Sequence, residues 1–205
     1  MGRWKKQLLV TWLAILMGIV LSIFWFNEWK YTLPTPVPQD YKIVRVGTKI
    51  EPGKSFAHRD KPIVLHFFNP GCPCSRFNMK HVKELINLYG DQVNFMVVLV
   101  TEKPFTQEEI QKKYNLKIPV IQDPSFAKKC GVYSTPQAVI LTKENVLYYR
   151  GNYNKSRYCV EKESNYVQIA LERLLNDRPE YKFNHLALKA YGCELPGCTN
   201  NLSLK

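Results

Sequence analysis

Ile63-Val64-Leu65-His66-Phe67-Phe68-Asn69-Pro70-Gly71-Cys72-Pro73-Cys74-Ser75-Arg76-Phe77 is the stretch around which the chain is arranged. Its first six residues are apolar, β-branched or aromatic apart from one histidine, the composition of a buried strand. Pro70-Gly71 ends that strand. A helical pattern follows, with Phe77, Val82, Leu85, Leu88 and Tyr89 near one face of a 3.6-residue period and Gly90 at a natural stop. Pro73 suits the first helical position, where its missing N–H costs nothing and its φ is already set. Two thiols thus fall where a strand hands over to a helix N-terminus. Unsatisfied N–H groups and the positive end of the helix dipole favour a thiolate there. The plainer reading is a pair of small hydrophobes in a core turn.

The 205 residues suffice for one domain of ordinary size with additions at its ends. Lys and Arg number 29 against 17 Asp and Glu, a formal net charge of +12. The lysines are scattered singly or in pairs, with no Arg-rich run, zinc-finger spacing or RNA-binding aromatic motif, so nucleic acid is not the expected partner. A basic body beside an anionic membrane surface accounts for the charge instead.

Leu8 to Phe26 carries no charge and is close to the length a helix needs to cross a bilayer. Arg3, Lys5 and Lys6 precede it, while Glu28 is balanced by Lys30 beyond it. The expectation is a single-pass membrane protein with a cytoplasmic N-terminus and its C-terminal domain outside, which in a bacterium means the inner membrane and the periplasm. Trp4, Trp25 and Trp29 stand where interfacial aromatics gather. A cleaved signal peptide is the competing reading, but Ser22-Ile23-Phe24-Trp25 lacks the small residues of a cleavage site. The chain therefore divides into a stub and anchor (1–30), a proline-rich spacer (31–40), a domain (41–178) and a cysteine-containing tail (179–205).

Within the domain, Lys42-Ile43-Val44-Arg45-Val46 reads as an edge strand, and residues 92–101 as a buried one. Thr106-Gln107-Glu108-Glu109 is a capping box opening a short helix to about Tyr114. Pro119-Val120-Ile121 is a brief strand. Asp123 caps and Pro124 opens another short helix, which Gly131 closes. Residues 137–142 and 146–150 form a hairpin, and Val167, Ala170, Leu171, Leu174 and Leu175 mark an amphipathic helix over about 164–176.

This order, β–α–β–(α)–β–β–α with a thiol pair after the first main strand, resembles the thioredoxin fold of membrane-anchored bacterial redoxins. The resemblance rests on Phe67-Phe68-Asn69-Pro70-Gly71-Cys72-Pro73-Cys74, Gly131-Val132-Tyr133-Ser134-Thr135-Pro136 and Tyr149-Arg150-Gly151. The Cys-Pro-Cys-Ser-Arg-Phe-Asn string also resembles an uncharacterised bacterial group of this fold. The resemblance implies an α/β domain with a central mixed sheet flanked by helices, a cis-proline at Pro136 beside the redox cysteines, and a glycine, Gly151, after the last strand.

It also implies thiol–disulfide exchange with protein substrates and a redox partner protein, with no cofactor. Cys72, nearer the exposed end of the motif, is then the attacking thiolate, and Cys74 resolves the mixed disulfide or tunes Cys72. Thr135, Pro136 and Gly151 line the substrate position, where an extended segment can add as a strand. Thioredoxins keep two residues between their cysteines and this chain keeps one. A Cys-X-Cys bridge is tight, because side chains two apart in a helix point to nearly opposite sides.

Cys159, in the long loop after Gly151, is therefore a candidate third redox thiol, with Arg157 favouring its thiolate. The alternative for Cys159 is a staple to Cys193 or Cys198 in the tail. Cys193 and Cys198 flank a turn, and a local disulfide between them is the default in an oxidising compartment. Cys130 reads as a core residue, and His66 and His81 as packed or solvated. The main competing function is a metallochaperone holding copper or zinc with Cys72, Cys74 and a histidine. A peroxide reductase ranks third, since Asn69 stands where peroxiredoxins keep a threonine.

Overall fold

The computed structural model describes residues 2–29, 32–51, 60–156, 159–178 and 181–195. The chain falls into two units, residues 1–33 and 34–205. The first is a helix, α1 (Arg3–Phe24), which continues as a wider π-turn over Trp25–Trp29. Its side chains are exposed throughout. At 1.5 Å per residue α1 runs about 33 Å, enough for a bilayer core of about 30 Å. By length and composition Arg3–Trp29 can cross a membrane.

The second unit has the thioredoxin-like architecture. Strands β1 (Ile63–Phe68), β2 (Asn94–Leu99), β3 (Val120–Gln122), β5 (Gln137–Leu141) and β6 (Leu147–Gly151) form one sheet in the order β3-β2-β1-β5-β6. The β1–β2 and β2–β3 pairs are parallel, whereas β5 runs antiparallel to β1 and to β6. β1 is central, and all six of its residues are buried, His66 included. A strand covered on both faces has no solvent side to fill with polar residues, which is why its apolar run is nearly continuous.

Helix α2 (Pro73–Tyr89) lies on the face of Val64 and Ile140, burying Val82 and Leu85 beside α5 (Tyr166–Leu175). Helix α3 (Gln107–Tyr114) covers Phe68, Val97 and Leu99 with Ile110. Its start is the expected capping box: the Glu109 N–H donates to the Thr106 hydroxyl and the Thr106 N–H to the Glu109 carboxylate. Helix α4 (Pro124–Lys129), capped by Asp123, closes the opposite face, where Phe126, Ala127 and Cys130 pack on Leu65, Phe67 and Val98. Each fully buried valine, leucine, isoleucine or phenylalanine among these contributes about 1.5–3 kcal/mol over its exposed state.

Three expectations need correction. Lys42–Val46 is not a strand. The Val44 carbonyl is taken by the Arg150 guanidinium (2.7 Å), and the chain joins the edge of β6 only at residues 47–50. There the Gly47 N–H reaches the Leu147 carbonyl and the Leu147 N–H the Thr48 carbonyl. The proline-rich segment is not purely a spacer: Thr35 is buried, and its N–H donates to the Ala190 carbonyl at 2.9 Å. Nor does the tail stand apart. It forms a short helix, α6 (His185–Leu188), and a strand, β7 (Cys193–Glu194), and then buries Leu195 in the core. Gly151 admits this packing, because a Cβ there would run into the Ala187 carbonyl.

Candidate redox site at the start of the motif helix

The turn after β1 delivers the first cysteine. The Asn69 side-chain carbonyl accepts from the Gly71 N–H (2.9 Å), and the Asn69 backbone carbonyl accepts from the Cys72 N–H (3.0 Å). Cys72 is the N-cap of α2, with extended backbone (φ −88°, ψ 121°), and Pro73 is the first helical residue. Cys72 thus lies just outside the helix, at its positive end, while Cys74 lies within the first turn. Both are 2% exposed. The expected exposure of Cys72 is not seen, because the tail covers it.

Opposite the turn, the Thr135–Pro136 peptide bond is cis. The Thr135 carbonyl oxygen lies 3.5 Å from the Cys72 sulfur. Strand β4 (Ser134–Thr135) is separate from the main sheet and pairs antiparallel with β7, Ser134 opposite Glu194 and Thr135 opposite Cys193.

Cys193 forms a disulfide with Cys72, across a Cα–Cα separation of 6.2 Å. This overturns the expected local Cys193–Cys198 pairing; Cys198 itself lies outside the described residues. The reason is strand pairing. Register with Thr135 carries Cys193 to the motif. Cys74 stays a thiol, and the sulfurs of Cys72, Cys74 and Cys193 lie within 4.8 Å of one another. Among the described residues, these three are the group that could hold a soft metal. The histidine expected for such a site is not among them.

The histidines are engaged elsewhere. His66 Nδ1 lies 2.8 Å from the Tyr153 hydroxyl, and burial pulls its pKa down to about 3. His81 Nδ1 is 3.6 Å from the Glu84 carboxylate; burial lowers its pKa, and Glu84 partly offsets this.

Cys159 remains a thiol in a left-handed backbone conformation (φ 53°). Its S–H donates to the Asn78 side-chain carbonyl at 2.6 Å, and the Asn78 amide donates to the Cys74 carbonyl at 3.2 Å. One side chain therefore links Cys159 to the motif turn, but Cys159 is not part of the three-sulfur group. Burial, helped by Glu84, pushes its pKa up to about 12. Arg157, expected to favour its thiolate, lies outside the described residues. Cys130 is fully buried, and burial likewise pushes its thiol up to about 12.

Sequence reasoning missed Cys193 as the partner of Cys72. The signal was present in Tyr191-Gly192-Cys193-Glu194-Leu195, a strand-like segment ending in an apolar residue, but the nearby Cys198 drew the pairing away.

Among solved structures, the fold is similar to an uncharacterized conserved protein from Geobacillus kaustophilus. That match has 20% identity and a TM-score of 0.65, over 80% of this chain and 97% of that one. A hypothetical protein from Sinorhizobium meliloti 1021 matches at 17% identity and a TM-score of 0.59, over 76% and 96%. A thioredoxin-like protein solved in solution in its oxidized form matches at 16% identity and a TM-score of 0.48, over 71% and 98%. No curated protein matches the chain. The profile of one family does match, over residues 43–195, and on that match the chain belongs to DUF6436, a domain of unknown function.

Proposed function

We propose that this protein is a membrane-anchored thiol–disulfide oxidoreductase, acting on protein thiols and disulfides outside the cytoplasm. The observation that carries this reading is the Cys72 sulfur, disulfide-bonded at the N-terminus of α2 and 3.5 Å from the carbonyl before cis-Pro136. When that bond opens, the free N–H groups and dipole of α2 stabilise the Cys72 thiolate. A stabilised thiolate is both populated at neutral pH and a good leaving group, the two properties exchange requires. Cys74, whose sulfur is within reach, tunes or resolves Cys72. Thr135 and Pro136 offer backbone to an extended polypeptide, with Gly151 at the end of β6 close by. Cys159, whose S–H rests on the Asn78 side chain behind the motif, is a third redox thiol that accepts or relays the disulfide. The span at Arg3–Trp29 and the basic residues at its start, Arg3, Lys5 and Lys6, support an anchor with the domain on the far side. A second protein must then restore the starting redox state after each turnover.

The test is catalysed exchange between the detergent-solubilised full chain and a fluorescent peptide carrying a disulfide. The expected result is turnover that Cys72→Ser abolishes. Equal rates for wild type and Cys72→Ser would remove the reading.

One observation favours a second reading, a soft-metal carrier: three sulfurs within 4.8 Å. Zinc–thiolate bonds of about 2.3 Å hold sulfurs about 3.8 Å apart, so the Cys72–Cys193 disulfide must first be reduced and its two sulfurs separate. Under that reading, the reduced protein binds one equivalent of Zn(II) or Cu(I) at sub-micromolar affinity, loses it as pH falls, and shows no exchange.

A further inference from the structure

We infer that strand β7 is a tethered internal substrate: it fills the polypeptide groove on β4, and its Cys193 is the resolving partner of Cys72. The inference rests on the proposed role of Cys72 as the exchange thiol. Strand β4 is two residues long, and among the described residues its ladder partner is β7 alone. The edge beside the cis-proline, free to receive a substrate strand, is thus occupied by the chain itself. Cys193 stands directly opposite Thr135 in that ladder, bonded to Cys72, as the cysteine of a bound substrate would be.

The segment is built to sit there. The Ser134 hydroxyl donates to the Cys193 carbonyl and the Thr35 hydroxyl to the Gly192 carbonyl, each at 3.2 Å, and the two hydroxyls are 2.8 Å apart. Gly192 has φ +148°, and a Cβ on it would collide with the Thr135 carbonyl. No other residue fits that position without displacing the strand. On one side the tail is held by Asn152, whose amide donates to the Leu186 and Lys189 carbonyls at 2.7 Å each. On the other, Leu195 is buried in the core. So anchored on both sides, Cys193 stays tethered within reach of Cys72 even when β7 is lifted off β4, at a high effective concentration.

The exchange balances. A substrate thiolate attacks the Cys72 sulfur; a Cys72–substrate disulfide forms, the Cys72–Cys193 bond breaks, and Cys193 leaves as a thiolate that takes up a proton. The substrate strand replaces β7 on β4. A second substrate thiol then displaces Cys72, so the substrate dithiol becomes a disulfide and Cys72 and Cys193 become thiols. The reverse sequence reduces a substrate disulfide. The groove also sets a preference, for an extended polypeptide with glycine immediately before the reacting cysteine.

The experiment uses the full chain, reduced and in detergent, with the hexapeptide of residues 190–195 activated at its cysteine as a mixed disulfide with thionitrobenzoate. Attack by Cys72 releases thionitrobenzoate and leaves the peptide on Cys72. In the wild type Cys193 then releases it, whereas in Cys193→Ser the adduct should live at least about tenfold longer, since the tethered thiol is gone. The same peptide with Gly192→Ala should react at least about tenfold more slowly, because its Cβ meets the Thr135 carbonyl. Peptide maps of the oxidised protein should show Cys72–Cys193, and Cys74→Ser should still form that bond. Should Cys193→Ser fold poorly, Gly192→Ala in the protein keeps every cysteine and should raise Cys72 alkylation by at least about tenfold.

Oxidised wild type mapping to Cys72–Cys74 or Cys193–Cys198 overturns the inference. So do adduct lifetimes and peptide rates indifferent to Cys193 and to the glycine, even with Cys72 reacting normally. If Cys72 fails to attack the peptide in every variant, the proposed function falls as well.

Discussion

Acidification should destabilise this fold through His66, and replacing that residue should flatten the response. His66 sits in the central strand, fully buried, with its Nδ1 on the Tyr153 hydroxyl and, among the described residues, no hydrogen-bond partner at Nε2. Burial disfavours the imidazolium and draws the pKa from 6.5 to about 3 in the folded chain. Because the folded value lies below the unfolded one, the unfolded state binds the proton first. Stability is therefore full above about pH 6.5 and falls as the pH drops from there towards 3. Over the window from pH 7.5 to 5 the linked loss is about 2 kcal/mol, a sizeable share of a typical domain's 5–15 kcal/mol. His81, with a pKa also lowered by burial, adds to the wild-type slope in the same direction, so the measurement must be a difference. His66→Phe removes the titrating group. It also leaves the Tyr153 hydroxyl unpaired, a penalty of about 1–3 kcal/mol that does not vary with pH in this range. Urea unfolding of the full chain in detergent, wild type against His66→Phe, at pH 7.5, 6 and 5, reads the two slopes. The account expects the variant to lose about 2 kcal/mol less than wild type over the window. Parallel slopes would refute it.

Two other outcomes follow from the geometry. In the reduced native protein at pH 8, iodoacetamide should label Cys72 well before Cys130 and Cys159, whose thiols are pushed to about 12 and hold about one thiolate in ten thousand at that pH; quantitative peptide mass spectrometry checks this, and comparable rates at all three would contradict the burial argument. The native chain should resist extraction from membranes by alkaline carbonate and lose that resistance when residues 3–29 are deleted; a mature soluble form beginning after residue 26 would show a cleaved leader in place of an anchor.

Legibility in the sequence followed the range of the forces involved. Local signals read well: Pro73 at the first position of α2, the Thr106–Glu109 capping box, the Asp123 cap and the 143–145 turn stand where the pattern put them. The strand order came from resemblance, and cis-Pro136 beside the cysteines came with it. What stayed hidden depends on contacts between distant residues. Lys42–Val46 has strand propensity, yet the Arg150 side chain, from the neighbouring edge strand β6, claims the Val44 carbonyl. Thr35 looks like part of a linker until Ala190 and Gly192 arrive beside it. Cys193 is separated from Cys72 by 121 positions, and its pairing is set by the register of β7 on β4, which no local pattern encodes. Cys159 illustrates the converse: the topology argument brought its loop towards the motif, but side-chain packing put Asn78 between the two.

The most direct measurement of the central claim is a redox titration of the full chain in glutathione buffers spanning about −350 to −100 mV, with each cysteine's alkylation read by mass spectrometry. Thiol–disulfide exchange at Cys72 predicts one reversible two-electron transition in this range, in which Cys72 passes between an alkylatable thiol and a disulfide with Cys193, while Cys130 holds constant. A Cys72 whose state does not change anywhere across the range would contradict it.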